Sequence, residues 1–156
     1  MVESIASKNL KIEGMFVWDA IKREKIDVLI QKLDHEGYPI NHPVTDTGLT
    51  AFAYACSWST NVDIFRLLLD RGADINAADL TGKMPVHHAA LAGNVPALEV
   101  ILELAQKDIE AQTNGLETPL MCAVRGQSVT SVATLLNGGS NPFIKNGLGE
   151  TAQDIA

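Results

Sequence analysis

A short corner recurs four times along the chain, at Ile40-Asn41, Ile75-Asn76, Ile109-Glu110 and Pro142-Phe143, so that successive copies lie 35, 34 and 33 residues apart. A chain with such a period does not wrap one central layer. Each unit is too small to bury its own apolar face and must bury it against the next, which leads to a stacked, quasi-one-dimensional array. The stretch Arg66 to Ala90, RLLLDRGADINAADLTGKMPVHHAA, shows the unit most completely. Leu67, Leu68 and Leu69 close an apolar helix, and Gly72 supplies the left-handed residue that ends it. Asp74, Asn76, Asp79 and Gly82 provide turn chemistry. Pro85 then falls in the first turn of a second helix, where proline is tolerated best.

Within that stretch, GADINAADLTGKMPVHHAALAG resembles the ankyrin repeat, whose pattern runs G-A-D-[IV]-N, a few variable residues, then G-x-T-P-L-H-x-A-A-x-x-G. The resemblance implies an all-α solenoid of stacked antiparallel helix pairs joined by hairpin-like tips. On that pattern residues 1–14 form an N-terminal segment and 15–156 the array, with repeats at about 15–44, 45–78, 79–112 and 113–145 and a partial one at 146–156.

The first unit is the most divergent. Its Ala20 and Ile21 align with Ala55 and Cys56, and Leu29, Ile30 and Leu33 with Ile64, Phe65 and Leu68, one apolar stripe on a helix. The second keeps Gly48 and Thr50 but has Ala51 and Ala53 for proline and histidine, and carries one extra residue near Thr60-Asn61. The third keeps Gly82, Pro85, His87, Ala89, Ala90 and Gly93, yet ELAQKDIE replaces its exit corner, where a reshaped turn is expected. The fourth keeps Thr118, Pro119, Leu120 and Ala123 and closes in NGGSNP. The fifth begins at Gly149-Glu150-Thr151 and reaches Ala156 inside its first helix. The expectation drawn from that is a piece of a longer protein, in preference to a short capping helix.

Aromatic residues make up only 5% of the chain, so the core is expected to be aliphatic and alanine-rich. The net charge of −7 argues against a nucleic-acid partner, which needs a basic face. The absence of an apolar run of about 18 residues excludes membrane insertion through a helix. Two cysteines, Cys56 and Cys122, do not make a disulfide framework. Together these features lead to the expectation of a protein that is monomeric in isolation and works in the cytoplasm or nucleus, under reducing conditions.

No catalytic residue, metal site or cofactor is expected. His87 and His88 are adjacent, so a helix directs them differently and they do not share a metal. In the resemblance His87 is the repeat's own histidine, bonded to backbone around the neighbouring corner. The resemblance also shows a mismatch. Its threonine and histidine bond to one another within a repeat, whereas here Thr50 faces Ala53, Met84 faces His87 and Thr118 faces Met121. Lower stability than a consensus array is therefore expected. Cys56 and Cys122 lie in apolar patterns, with no fixed cation to make either reactive. Gly138-Gly139 and Gly147-Leu148-Gly149 lack the Gly-Lys-Ser/Thr of a phosphate loop.

What the resemblance implies about function is a non-enzymatic protein-interaction module using the concave face made by tips and first helices. The positions it assigns there are Lys22-Arg23, Ser57-Trp58, Leu91-Ala92 and Arg125-Gly126, with tip residues that include Asp46, Leu80, Lys83, Glu117 and Leu148. The expected partner-binding set is Arg23, Trp58, Leu80, Lys83, Leu91 and Arg125. Trp58 stands where the repeat does not require an aromatic and is the expected anchor, against the alternative of packing on the Thr60-Asn61 insertion. Trp18, at the histidine position of the first unit, is expected to be structural. Leu80 and Leu91 extend an apolar strip flanked by Arg23 and Arg125, suited to a peptide or helix with an apolar anchor and acidic flanks. The alternative is a regulatory or targeting domain of a longer enzyme, channel or acyltransferase whose catalytic part lies beyond residue 156.

Overall fold

The computed structural model describes residues 16–35 and 37–156, and the segment expected at 1–14 lies outside them. The elements are α1 (Val17–Lys22), α2 (Ile26–Asp34), α3 (Ala51–Trp58), α4 (Val62–Asp70), α5 (Pro85–Ala92), α6 (Val95–Ala105), a 3₁₀ turn (Gln106–Glu110), α7 (Pro119–Arg125), α8 (Val129–Asn137) and α9 (Ala152–Ile155). Among the described residues there is no strand. None of these helices exceeds the 11 residues of α6. Helices this short are marginal alone in water, so their stability comes from stacking.

Local chemistry fixes where each first helix starts. The hydroxyls of Thr50, Thr118 and Thr151 accept the N–H groups of Ala53, Met121 and Asp154. Pro85 and Pro119 occupy the opening turns of α5 and α7. The second helices begin on Asn61, Asn94 and Ser128, whose side chains accept from Asp63, Ala97 and Ser131. Each such cap contributes about 1 kcal/mol.

The first helices line up side by side in the order α1, α3, α5, α7, α9, each packed on the next. The second helices α2, α4, α6 and α8 pack behind their partners. An inner helix is therefore covered on several sides, and α3, α5 and α7 are buried almost all round rather than along one stripe. Alanines at 51, 53, 55, 89, 90 and 123 allow that close approach. The aliphatic core runs behind them through Ile21, Leu29, Ile64, Leu68, Leu98, Ile101, Leu120 and Leu135, with Phe52 and Phe65 packed edge to face at 6.4 Å. Gly126 marks the tightest point: a Cβ there would stand 2.9 Å from the carbonyl carbon of Leu91.

The helices end in a repeated way. Gly72 (φ 86°) and Gly139 (φ 97°) take the left-handed conformation after α4 and α8. In both places two reverse bonds close the turn, Ala73 N–H to Leu68 O and Gly72 N–H to Leu69 O, then Ser140 N–H to Leu135 O and Gly139 N–H to Leu136 O. The exit of α6 differs, as ELAQKDIE leads one to expect: the chain tightens into the 3₁₀ turn instead. Between α3 and α4 the added residue divides two jobs that Asn94 performs alone one unit later. Asn94 caps α6 and also donates to Cys56 O and Ser59 O. In the preceding unit Ser59 makes the inter-repeat bond, to Glu24 Oε1, while Asn61 caps α4.

The tips form a ladder along one edge. Leu80 N–H donates to Thr47 O, Asn114 N–H to Thr81 O and Gly147 N–H to Gly115 O, so every tip is held by the one before it. Gly48, Gly82 and Gly149 give the positive φ this turn needs, and Leu116 adopts it at φ 58° in the fourth unit, where a Cβ makes it costly.

Candidate functional site

The open ends of the inner helices carry two registers, Lys22, Ser57, Leu91, Arg125 and Arg23, Trp58, Ala92, Gly126. In α1, α5 and α7 the helix turns back through Glu24, Gly93 or Gln127 in the left-handed conformation. The last turn of α3 instead leaves through an extended Ser59. Trp58, just before that exit, is 57% exposed.

Trp58 does not stand alone. Its ring lies 6.2 Å from Tyr54, Tyr54 meets Trp18 edge-on at 6.4 Å, and Trp18 stacks on Phe16 at 5.9 Å. The Lys22 ammonium sits over Trp58, 5.0 Å from its centroid. A row of four rings thus crosses from α1 to α3. Trp18, expected to be structural, is 37% exposed and belongs to this surface row. Ala53 stands at the equivalent place one unit later, and the Trp18 indole packs on Phe16 and Tyr54. The signal for the row lay in two spacings: Tyr54 and Trp58 are four apart on one helix, and Trp18 lies about one period before Tyr54.

The flanking cations each hold an ion pair. Arg23 donates through Nε to Asp19 Oδ1 at 2.8 Å. Arg125 holds Glu117 Oε1 at 2.7 Å and stands 3.8 Å from Glu150 Oε2. Each guanidinium is thus paired with a carboxylate while its side chain stays exposed, Arg23 at 63% and Arg125 at 42%. Leu91 is exposed on α5 between the registers of Ser57 and Arg125. Leu80 (74% exposed) and Lys83 belong to a tip, where Leu80 lies against Gly48 and Lys83 N–H donates to Asp79 Oδ1.

The histidines are occupied structurally. His87 Nδ1 accepts from Met84 N–H, so Nε2 carries the proton and reaches Ala111 O at 2.9 Å and Glu117 O at 3.2 Å. That is the bond around the neighbouring corner expected from the sequence. Burial holds its pKa below the ordinary value, against the pull of the two carbonyls. His88 Nε2 lies 2.9 Å from Asp79 Oδ2; burial lowers its pKa too, and the Asp79 charge only partly offsets this. Burial raises the Asp79 pKa, but bonds from the Thr81 hydroxyl and N–H and from Lys83 N–H outweigh it and leave that carboxyl low.

Cys56 and Cys122 are buried and unpaired. Burial pushes both thiols up, Cys122 to about 12, far from nucleophilic range. Among the described residues no group of three His, Cys, Asp or Glu side chains is placed to hold a metal ion.

The family description "Ankyrin repeats (many copies)" matches residues 54–102, and "Ankyrin repeat" matches residues 116–147. The chain belongs to the ankyrin repeat family. This ankyrin array is 32% identical over 109 residues to Neurogenic locus notch homolog protein 2 of Homo sapiens, which covers 70% of the chain and 4% of that relative. With Neurogenic locus Notch protein of Drosophila melanogaster it shares 31% over 97 residues, 62% of the chain and 4% of the relative. With Transient receptor potential cation channel subfamily A member 1 of Homo sapiens it shares 27% over 128 residues, 78% of the chain and 11% of the relative. The array therefore spans only a small fraction of the length of these relatives. Ankyrin repeats mark it as a protein-interaction module, and among its described residues no helix is long and apolar enough to cross a membrane.

Proposed function

We propose that the array is a non-catalytic module that grips a protein partner on its concave face, with the Trp18–Tyr54–Trp58 row as the anchor. The observation that carries this is the pair of half-exposed indoles, fixed by ring contacts at 6.2–6.4 Å on rigid helices. Tryptophan dominates interface hot spots because it buries a large rigid surface at small entropic cost. An exposed indole row also has no role in the core, which Phe52 and Phe65 already fill. Two buried, unpaired thiols suit a reducing compartment, and we place the module there.

The test is affinity capture with the wild-type chain beside Trp58→Ala and Arg125→Glu, each shown by circular dichroism to remain folded. Partners retained by the wild type and lost from Trp58→Ala support the reading. Arg125→Glu is expected to weaken capture less, since its charge is already spent on Glu117. If every partner survives both changes, the concave-face assignment fails. The second reading, a regulatory or targeting domain within a longer enzyme, channel or acyltransferase, rests on the small share of the relatives that the chain spans.

A further inference from the structure

We propose that the N-terminal half of the concave face docks a peptide segment of the partner in which an apolar side chain stands beside a carboxylate. This deepens the binding-module reading and rests on it. Three observations define the occupant. Trp18 and Trp58 present exposed indole surface on α1 and α3, and the buried Tyr54 ring between them joins the two. Lys22 is held over the Trp58 ring, and no carboxylate among the described residues pairs with it, whereas Arg23 and Arg125 are bound to Asp19 and Glu117. Its ammonium keeps its donors for a ligand and is fixed beside the anchor.

The third observation is where the charge lies. The chain is acidic overall, at −7, which taken alone favours a basic partner. Screening confines electrostatic preference to about 8–10 Å, so the groups around the row decide it. On α1 and the turn after it Lys22, Arg23 and Lys25 accompany Asp19 and Glu24, the Glu24 carboxylate already accepting from Ser59, while Asp27 and Asp34 lie on α2 behind them. Asp63, Asp70, Glu99 and Glu103 lie on α4 and α6, in the second row of helices. A basic peptide meets Lys22 as a like charge, and an acidic one completes it. The ligand class is therefore an acidic–apolar segment, its apolar side chain on the indoles and its carboxylate on Lys22 Nζ.

A phage-displayed library of short random peptides, panned on the chain and on Trp58→Ala, tests this. Enriched peptides are synthesised and titrated while the indole N–H resonances of the chain's two tryptophans are followed. The expected consensus has an aromatic or aliphatic residue within a few positions of Asp or Glu, and it shifts both indole signals. Replacing that acid by its amide should weaken binding about tenfold. Lys22→Glu should do the same and recover affinity for the peptide bearing Lys in place of the acid, while Lys22→Met should not recover it. A basic consensus, affinity indifferent to Lys22→Glu, or no enrichment above Trp58→Ala overturns the proposal. Peptides that bind without moving the indoles overturn it too, but leave the binding-module reading standing. Only a capture experiment in which every partner survives both Trp58→Ala and Arg125→Glu removes that reading as well.

Discussion

Met84 sits where the start of α5 calls for a hydroxyl. At the equivalent places Thr50 and Thr118 each accept a backbone N–H at 3.4 Å, and Thr151 and Asp154 bond to one another in both directions. At α5 only half of such a box is made: Met84 N–H reaches His87 Nδ1 at 3.1 Å, with no oxygen returning to His87 N–H, which closes instead on Met84 O. Met84→Thr restores the missing acceptor, for about 1 kcal/mol, and gives up part of the packing of a half-buried thioether. The expected result is a net gain of about 0.5 kcal/mol, seen as a higher urea midpoint with unchanged slope. An unchanged or lower midpoint would show that packing outweighs the cap. The deficit was legible in the sequence, because threonine and histidine stand at fixed offsets. The box of the fifth unit was not, since Asp154 replaces the histidine with a different group of the same reach. The aromatic row was also hidden, because its contacts cross from one unit to the next and follow from ring packing rather than from the repeat pattern.

At the scale of elements, neighbouring units are joined at their corners, and one joint is incomplete. Asn41 bridges the first and second corners: its amide donates to Gly72 O at 3.1 Å and its oxygen accepts Asp74 N–H at 2.7 Å. Asn76 occupies the same place one unit later, but the corner it should meet has become the 3₁₀ turn, and its buried Oδ1 has no partner among the described residues. Asp108 Oδ2 and Glu110 Oε2 are left in the same condition. The link resumes at Glu110, whose Oε1 accepts Asn141 N–H. That the third corner would be reshaped followed from ELAQKDIE. Its consequence for Asn76 did not, since a partner 34 residues away is visible only once the units are stacked. The pair gives a matched test. Asn41→Ala should cost about 1 kcal/mol for two bonds at a partly wet site, and Asn76→Ala less than about 0.5 kcal/mol. Chemical denaturation of the two variants measures both. Equal costs, or a larger one for Asn76, would mean that the second joint is made after all.

For the molecule as a whole, stability in a stacked array is a sum of unit terms and nearest-neighbour terms, so a weak central interface affects everything on both sides of it. His87 is part of that interface, reaching from α5 to Ala111 O and Glu117 O in the following unit, and it does so as a neutral imidazole. Protonation would remove the acceptor that Met84 N–H uses. Burial depresses the pKa of both His87 and His88 in the folded state, whereas in the unfolded chain they return to about 6.5. The unfolded state therefore binds more protons once the pH falls below about 6.5, and stability must fall with it, by up to about 1.4 kcal/mol per pH unit for each histidine, until the folded values are reached. Above about 6.5 both states are neutral and this contribution is fully present. Asp79, whose pKa is also depressed, adds a second loss only below the ordinary carboxylate range near 3.8. Urea titrations followed by circular dichroism should thus give similar midpoints at pH 8 and pH 7 and a clearly lower one at pH 5.5. The transition should broaden at pH 5.5 as the two halves of the array begin to unfold separately. A double variant, His87→Gln with His88→Gln, should be less stable at pH 8 but nearly flat across the same range. If the wild type is equally stable at pH 5.5 and pH 8, the buried histidines do not govern the central joint.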